Sequence, residues 1–194
     1  MSKFSVEIQR KFEVMVSRHA DTILQRDFPA EWKDIVNLLT SFELRRSWLV
    51  TPGGSKSAIA RHIDDVMGKR GWIEKQFDTG IQTDGEVRPN PTHKIDCYKN
   101  RVALELEWNN KTEFYDRDLN NFRILNDLNC ISVGVIITRA TSLDCIFKSL
   151  GIYSKVGAST THMNKLVPRI DGGGAGGCPV IALGIKPECY KDDA

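Results

Sequence analysis

The chain has 194 residues, 41% hydrophobic and 27% charged, with a formal net charge of +2. That length fits one domain with a real core and cramps a second, and the domain is expected to span residues 1–194. No apolar run is long enough for a bilayer and Met1-Ser2-Lys3-Phe4 leads into charged sequence without the apolar stretch of a signal peptide, while a charge of +2 says little about partners, since a binder held to nucleic acid by bulk charge alone is usually more basic.

Phe4, Ile8, Phe12, Val16 and Ile23 recur at roughly helical spacing and predict one helix from Phe4 to about Leu24. A second helix begins near Pro29 and runs through Trp32, Ile35, Val36 and Leu39. A loop from Trp48 ends at Ser57, a plausible N-cap for a third helix carrying Ile59, Ile63, Val66 and Met67 and closing at Gly71. Trp72 to Phe77 opens a strand, and Asp78 to Pro91 reads as a polar loop.

Further on, Lys94 to Tyr98, the pair Lys99-Asn100, and Arg101 to Trp108 read as strand, tight turn, strand. Glu113 to Leu128 is helical, with Phe114, Leu119, Phe122 and Leu125 as its apolar members. Ile131 to Thr138 and Val180 to Ile185 are strands buried on both faces, with a helix at Asp144 to Leu150 and a glycine loop at Gly172 to Gly177 between them. Helices mixed with buried strands indicate an α/β fold with a central mixed sheet flanked by helices. Cys97, Cys130, Cys145, Cys178 and Cys189 are odd in number and scattered, which argues against a disulfide framework or a zinc site and for a reducing cytoplasm.

Asp96, Glu105 and Glu107 carry the chemistry. Side chains alternate along a strand, so Glu105 and Glu107 share a face. With Lys99-Asn100 as the turn, Asp96 pairs with the small Ala103 and joins both glutamates, while Leu104 and Leu106 face the core. Three adjacent carboxylates repel one another unless a cation fills the space between them, and a hard divalent ion is the natural occupant. A solvated strand face would show the same alternation, and a structural calcium site would use the same oxygens.

Asp96 followed by Glu105-Leu106-Glu107 resembles the signature of PD-(D/E)XK nucleases, in the BglII, BstYI and BamHI branch of type II restriction endonucleases. Pro29 to Ile35, Lys69 to Glu74, Val133 to Ile137 and Pro179 to Ile185 resemble that branch's helix, sheet entry and later core strands. The usual Lys of the signature is Glu107 here. The resemblance implies a restriction-endonuclease-like core and Mg²⁺ held by Asp96 and Glu105 against a scissile phosphate. It further implies a role for Glu107, 5′-phosphate products, and a homodimer cutting double-stranded DNA at a palindrome. Glu74 is the candidate upstream acid, with Lys75 and Asp78 as alternatives.

Asn110, and Asn109 beside it, follow the catalytic strand, where related enzymes reach bases, and Asn bonds adenine bidentately. Ser159, Thr160, Thr161 and His162, with Lys165 and Arg169, form a second polar and basic segment suited to base and phosphate contacts. The loop Thr51 to Ser57 fails the spacing of a phosphate-binding loop, so no nucleotide cofactor is expected, although Lys56 suits a DNA phosphate. The helix Glu113 to Leu128 resembles the dimerisation helix of these enzymes. A repair or structure-specific nuclease on the same fold, and a DNA-binding module with vestigial acids, are the competing functions.

Overall fold

The computed structural model describes residues 2–51, 56–90, 92–157 and 159–193. In chain order the elements are α1 (Val6–Lys11), β1 (Phe12–Val16), α2 (Ala20–Asp27), α3 (Pro29–Ser41), β2 (Leu44–Arg45), α4 (Arg46–Val50), α5 (Ala58–Gly68), β3 (Ile73–Lys75), β4 (Gly80–Thr83) and β5 (Glu86–Pro89). They continue with β6 (Ile95–Lys99), β7 (Val102–Leu106), α6 (Glu113–Asp127), β8 (Val133–Arg139), α7 (Asp144–Ser149), α8 (Tyr153–Val156), α9 (Met163–Asp171), β9 (Val180–Ile185) and β10 (Tyr190–Lys191).

Six strands form one mixed sheet in the order β1-β9-β8-β7-β6-β3. The three central strands β7, β8 and β9 run parallel and are buried along their whole length. Near-continuous apolar sequence is what a sheet covered on both faces requires. One face carries Val102, Leu104, Leu106, Val135 and Ile137 against Ile35 and Leu38 of α3 and Ile59 and Ile63 of α5. The other carries Ala103, Ile136 and Ala182 against Tyr115, Leu119 and Phe122 of α6 and Met163 and Leu166 of α9. No described helix is long and apolar enough to cross a membrane.

Ser57 caps α5 as its sequence suggests, accepting from Ala60 N at 3.1 Å, while residues 52–55 of the preceding loop lie outside the described residues. Asp34 of α3 pins the central hairpin: it accepts from Lys99 Nζ at 2.9 Å and from Trp72 Nε1 at 3.0 Å.

Four expectations need correction. Phe4 to Leu24 is not one helix, because β1 interrupts it and pairs antiparallel with β9, Phe12 against Ile185 and Val16 against Ile181. A spacing of four residues suits a strand's period of two as well as a helical turn, and a partner strand decides between them. Residues 80–89 are a two-stranded hairpin rather than a loop, turning at Asp84 (φ 51°) and Gly85 (φ 86°). Asp-Gly is the favoured pair for a turn that needs positive φ at both positions. The polar segment after Ser159 becomes helix α9 from Met163, so Lys165 and Arg169 are helical.

The fourth correction concerns the central turn. It lies at Asn100 (φ 44°) and Arg101 (φ 66°), so Lys99 pairs with Val102, Tyr98 with Ala103 and Cys97 with Leu104. Ala103 therefore faces Tyr98, and no gap opens opposite Asp96. The pairing moves by an even number of residues, which leaves the faces unchanged.

Gly134 of β8 lies directly beneath the Phe122 ring of α6. A Cβ there would stand 2.3 Å from Phe122 Cδ2. Gly134→Ala is expected to cost about 1–3 kcal/mol through overpacking, read as a lower denaturant midpoint at unchanged slope.

Candidate active site

The regular pairing of β6 with β7 ends at Cys97 and Leu104. Beyond it, carboxylates take over amides that a ladder would otherwise satisfy. Leu106 N donates to Asp96 Oδ2 at 3.0 Å, and Asp96 N donates to Glu105 Oε2 at 3.2 Å. The acids thus sit where two strands part, at an end of the sheet's central hairpin.

Glu105 and Glu107 are buried, at 3% and 2% exposure, and with them lies an acid that sequence analysis passed over: Asp118 of α6, at 1%. Asp118 raises the carboxyl pKa of Asp96, Glu105 and Glu107, so the four acids form one electrostatic cluster. Arg117 binds two of them, its Nε and Nη2 donating to Asp118 Oδ1 at 2.9 and 2.8 Å and its Nη2 to Glu107 Oε1 at 3.3 Å. Its guanidinium stacks on the ring of Phe114 at 4.4 Å, leaving Tyr115 to fill the core place expected for Phe114. The signal for Asp118 was available: one helical turn from Tyr115 and Phe122 and next to Leu119, it lies on the apolar stripe of α6.

Burial pushes the carboxyls up. Glu105 lies well above the ordinary range, first through desolvation and then through Asp118 and Asp96. Glu107 rises to about 9, through burial and then through Asp118 beside it, against the pull of Asn110 and Arg117. Asp96 rises through burial, opposed by the amide of Leu106. A raised carboxyl favours the folded state only while it is protonated. For Glu107 that stability is present below 4.5 and lost progressively as pH climbs to about 9. The metal-free melting temperature should accordingly fall across that window in chelator, and a divalent cation should restore it most at the alkaline end.

Two buried oxygens, Glu105 Oε1 and Asp118 Oδ2, have no hydrogen-bond partner among the described residues. Unsatisfied carboxylate oxygens among like charges are costly, and hard oxygen donors are what a divalent cation of the Mg²⁺ or Ca²⁺ type binds. The donor set fits such an ion in its chemistry, although among the described residues no three such groups stand close enough together to hold one.

A cleft of about 190 Å³ opens beside Asp96, lined also by Lys56, Asp64, Trp72, Glu74 and Cys97. Lys56 is ion-paired with Asp64 of α5, a further acid not singled out from sequence. Glu74 shares the cleft but is half exposed and paired with Lys94 at 3.0 Å. Lys75 stands over the Phe77 ring at 5.2 Å, and Asp78 lines a different hollow with Phe77 and Val87.

The two proposed reading segments meet. Lys111 bridges Thr160, and Thr161 N donates to Asn110 O at 3.0 Å. Asn110 Nδ2 donates to Glu107 Oε2 at 2.7 Å, while Asn109 (φ 59°) keeps a buried Oδ1 without a partner. Thr161 is buried with its hydroxyl on Glu107 O at 3.2 Å, and Thr160 Oγ1 donates to Val156 O at 2.6 Å. His162 turns inward to Thr141 Oγ1, at 3.0 Å from Nδ1. Lys165 Nζ donates to Thr160 O at 3.1 Å and Arg169 Nε to Asp116 at 2.8 Å, while Ser159 is exposed.

A mixed sheet clad in helices, with buried carboxylates at an end of its central hairpin, is a restriction-endonuclease-like arrangement. The chain belongs to the restriction endonuclease BglII/BglIII family, whose model it matches over residues 12–185. It is a type II restriction endonuclease, a hydrolase that binds double-stranded DNA and cuts it site-specifically. Such enzymes generally use a divalent metal ion. A search of curated proteins finds no match.

Proposed function

We propose that the enzyme is a Mg²⁺-dependent homodimer that hydrolyses one phosphodiester bond in each strand of a short palindrome and leaves 5′-phosphate ends. The observation that carries this reading is the cluster of half-buried Asp96 with buried Glu105, Glu107 and Asp118 and its two unsatisfied oxygens. Asp96 and Glu105 are the residues to hold the ion. When bound, it would supply charge stabilisation at the phosphate and a water of lowered pKa.

The chain's own residues do the rest. Glu105 accepts from the Asp96 amide and Asp96 from the Leu106 amide, so both carboxylates are presented from a fixed hairpin end. Glu107, held by Asn110 and Arg117, stands ready to orient or deprotonate the attacking water. Lys56 and Glu74 line the cleft on the Asp96 side, where Lys56 suits a DNA phosphate. Asn109, Asn110, Ser159, Thr160, Lys165 and Arg169 form the adjoining surface for bases and backbone, with Thr161 and His162 buried beneath it.

Two subunits related by a two-fold axis would present two such sites to a palindrome, and α6, with Asn120 and Arg123 exposed, is the candidate contact helix. One domain and a cytoplasmic location go with this reading, and the five cysteines are unpaired. The test combines sedimentation with cleavage of an end-labelled duplex. A dimer that cuts in Mg²⁺, stops in chelator and yields 5′-phosphates is expected. A monomer, or cleavage untouched by chelator, would refute the corresponding part.

A further inference from the structure

Glu107 is gripped twice over. Its carbonyl accepts from Thr138 Oγ1 at 2.9 Å and from Thr161 Oγ1 at 3.2 Å, so the main chain is tied to β8 and to the loop before α9. Its carboxyl is held by side chains alone, Arg117 on Oε1 and Asn110 on Oε2. The backbone of Asn110 is itself fixed, because its carbonyl accepts from Thr161 N and its neighbour Lys111 bridges Thr160. What remains free at Asn110 is the rotation of the amide about its terminal torsion, which is intrinsically soft.

A primary amide has two N–H donors and one oxygen acceptor. One N–H of Asn110 is committed to Glu107, and no hydrogen bond reaches its Oδ1 among the described residues. A base edge such as adenine's takes one N–H and gives one. Asn110, only half-buried, can therefore hold a base edge and Glu107 at once with different atoms of one group.

The geometry points to Asn110 as a positioning residue that makes the placement of the Glu107 carboxyl depend on the base beside it. This rests on Glu107 belonging to the active centre. A base that meets both Oδ1 and the second N–H fixes the amide plane, and the amide then holds the carboxyl. A base that meets neither leaves the amide free to turn, so that the Glu107 carboxyl loses its Oε2 partner and is held by Arg117 on Oε1 only. A wrong sequence can then be bound without being cut, which is selectivity in the chemical step rather than in affinity.

The test is single-turnover cleavage in Mg²⁺ with enzyme saturating, on the cognate duplex and on one with a single changed base pair. Wild type is compared with Asn110→Ala and with the near-isosteric Asn110→Asp, which loses the donors. Melting temperatures and affinities in Ca²⁺ are measured in parallel, so that a misfolded variant is recognised and replaced by the other. The saturated cognate rate should fall about 100-fold in both variants, the scale of a small misplacement of a reacting group. The rate on the changed duplex should stay within a few-fold of wild type, so discrimination between the duplexes collapses. A saturated cognate rate equal to wild type, with only affinity reduced, would make Asn110 a plain base reader and overturn the inference. Equal losses on both duplexes would overturn it as well, marking a merely structural contact. A wild-type rate in Glu107→Ala would instead sink the reading of the site on which the inference stands.

Discussion

Asp96→Ala and Glu105→Ala are each expected to lower Mg²⁺-dependent cleavage by about a thousandfold or more while DNA binding in Ca²⁺ persists. A metal at a scissile phosphate contributes several kcal/mol of transition-state stabilisation, and each 1.4 kcal/mol or so is tenfold in rate. The two variants should differ in stability. Asp96→Ala leaves the Leu106 amide without its acceptor, at a cost of about 1–3 kcal/mol. Glu105→Ala likewise leaves the Asp96 amide without its acceptor, but it also removes a buried carboxyl that desolvation, Asp118 and Asp96 all disfavour in its charged form, so its cost in metal-free protein should be the smaller of the two at alkaline pH. Single-turnover rates and melting curves in chelator read both effects. Cleavage near the wild-type rate by either variant would show the metal site to be misassigned.

Glu107→Lys is expected to lose about 100-fold or more in cleavage rate, even though it restores the residue most common in the wider superfamily. The surroundings explain the sign. Position 107 is met by donors, Asn110 Nδ2 at 2.7 Å and Arg117 Nη2 at 3.3 Å, and an ammonium has no acceptor to offer either of them. It would also place a fixed positive charge among the acids meant for a cation. Saturated cleavage rates over a Mg²⁺ titration check this, and the loss should shrink at high Mg²⁺ if competition with the ion is its main part. An unimpaired Glu107→Lys enzyme would show the position to be loosely coupled to the chemistry.

The acids and the strands around them were legible because they obey a strict period. Glu105 and Glu107 lie two apart, and Val180 to Ile185 is apolar without a break, observed as β9 with the same ends. The central turn was misplaced because Lys99-Asn100 and Asn100-Arg101 both read as turn pairs. Only the positive φ of Asn100 and Arg101 distinguishes them. An even shift kept Asp96 on the face of Glu105, so the cluster survived the error. β1 was hidden for a different reason. It is an outer strand of the main sheet whose partner, β9, lies far along the chain, and local spacing carries no trace of that pairing. Asp118 and Arg117 are inconspicuous in the sequence because the apolar residues of α6 dominate its pattern. The acid within the apolar stripe was the more informative one, since a buried carboxyl needs a reason.

Digestion of a plasmid of known sequence, with and without Mg²⁺ and with ends mapped at single-base resolution, tests the central claim most directly. The predicted result is a discrete set of fragments whose ends all share one short palindrome and carry 5′-phosphates, with no cutting in chelator. A smear of random ends, ends set by DNA structure rather than sequence, or the same digest without a divalent metal would contradict it.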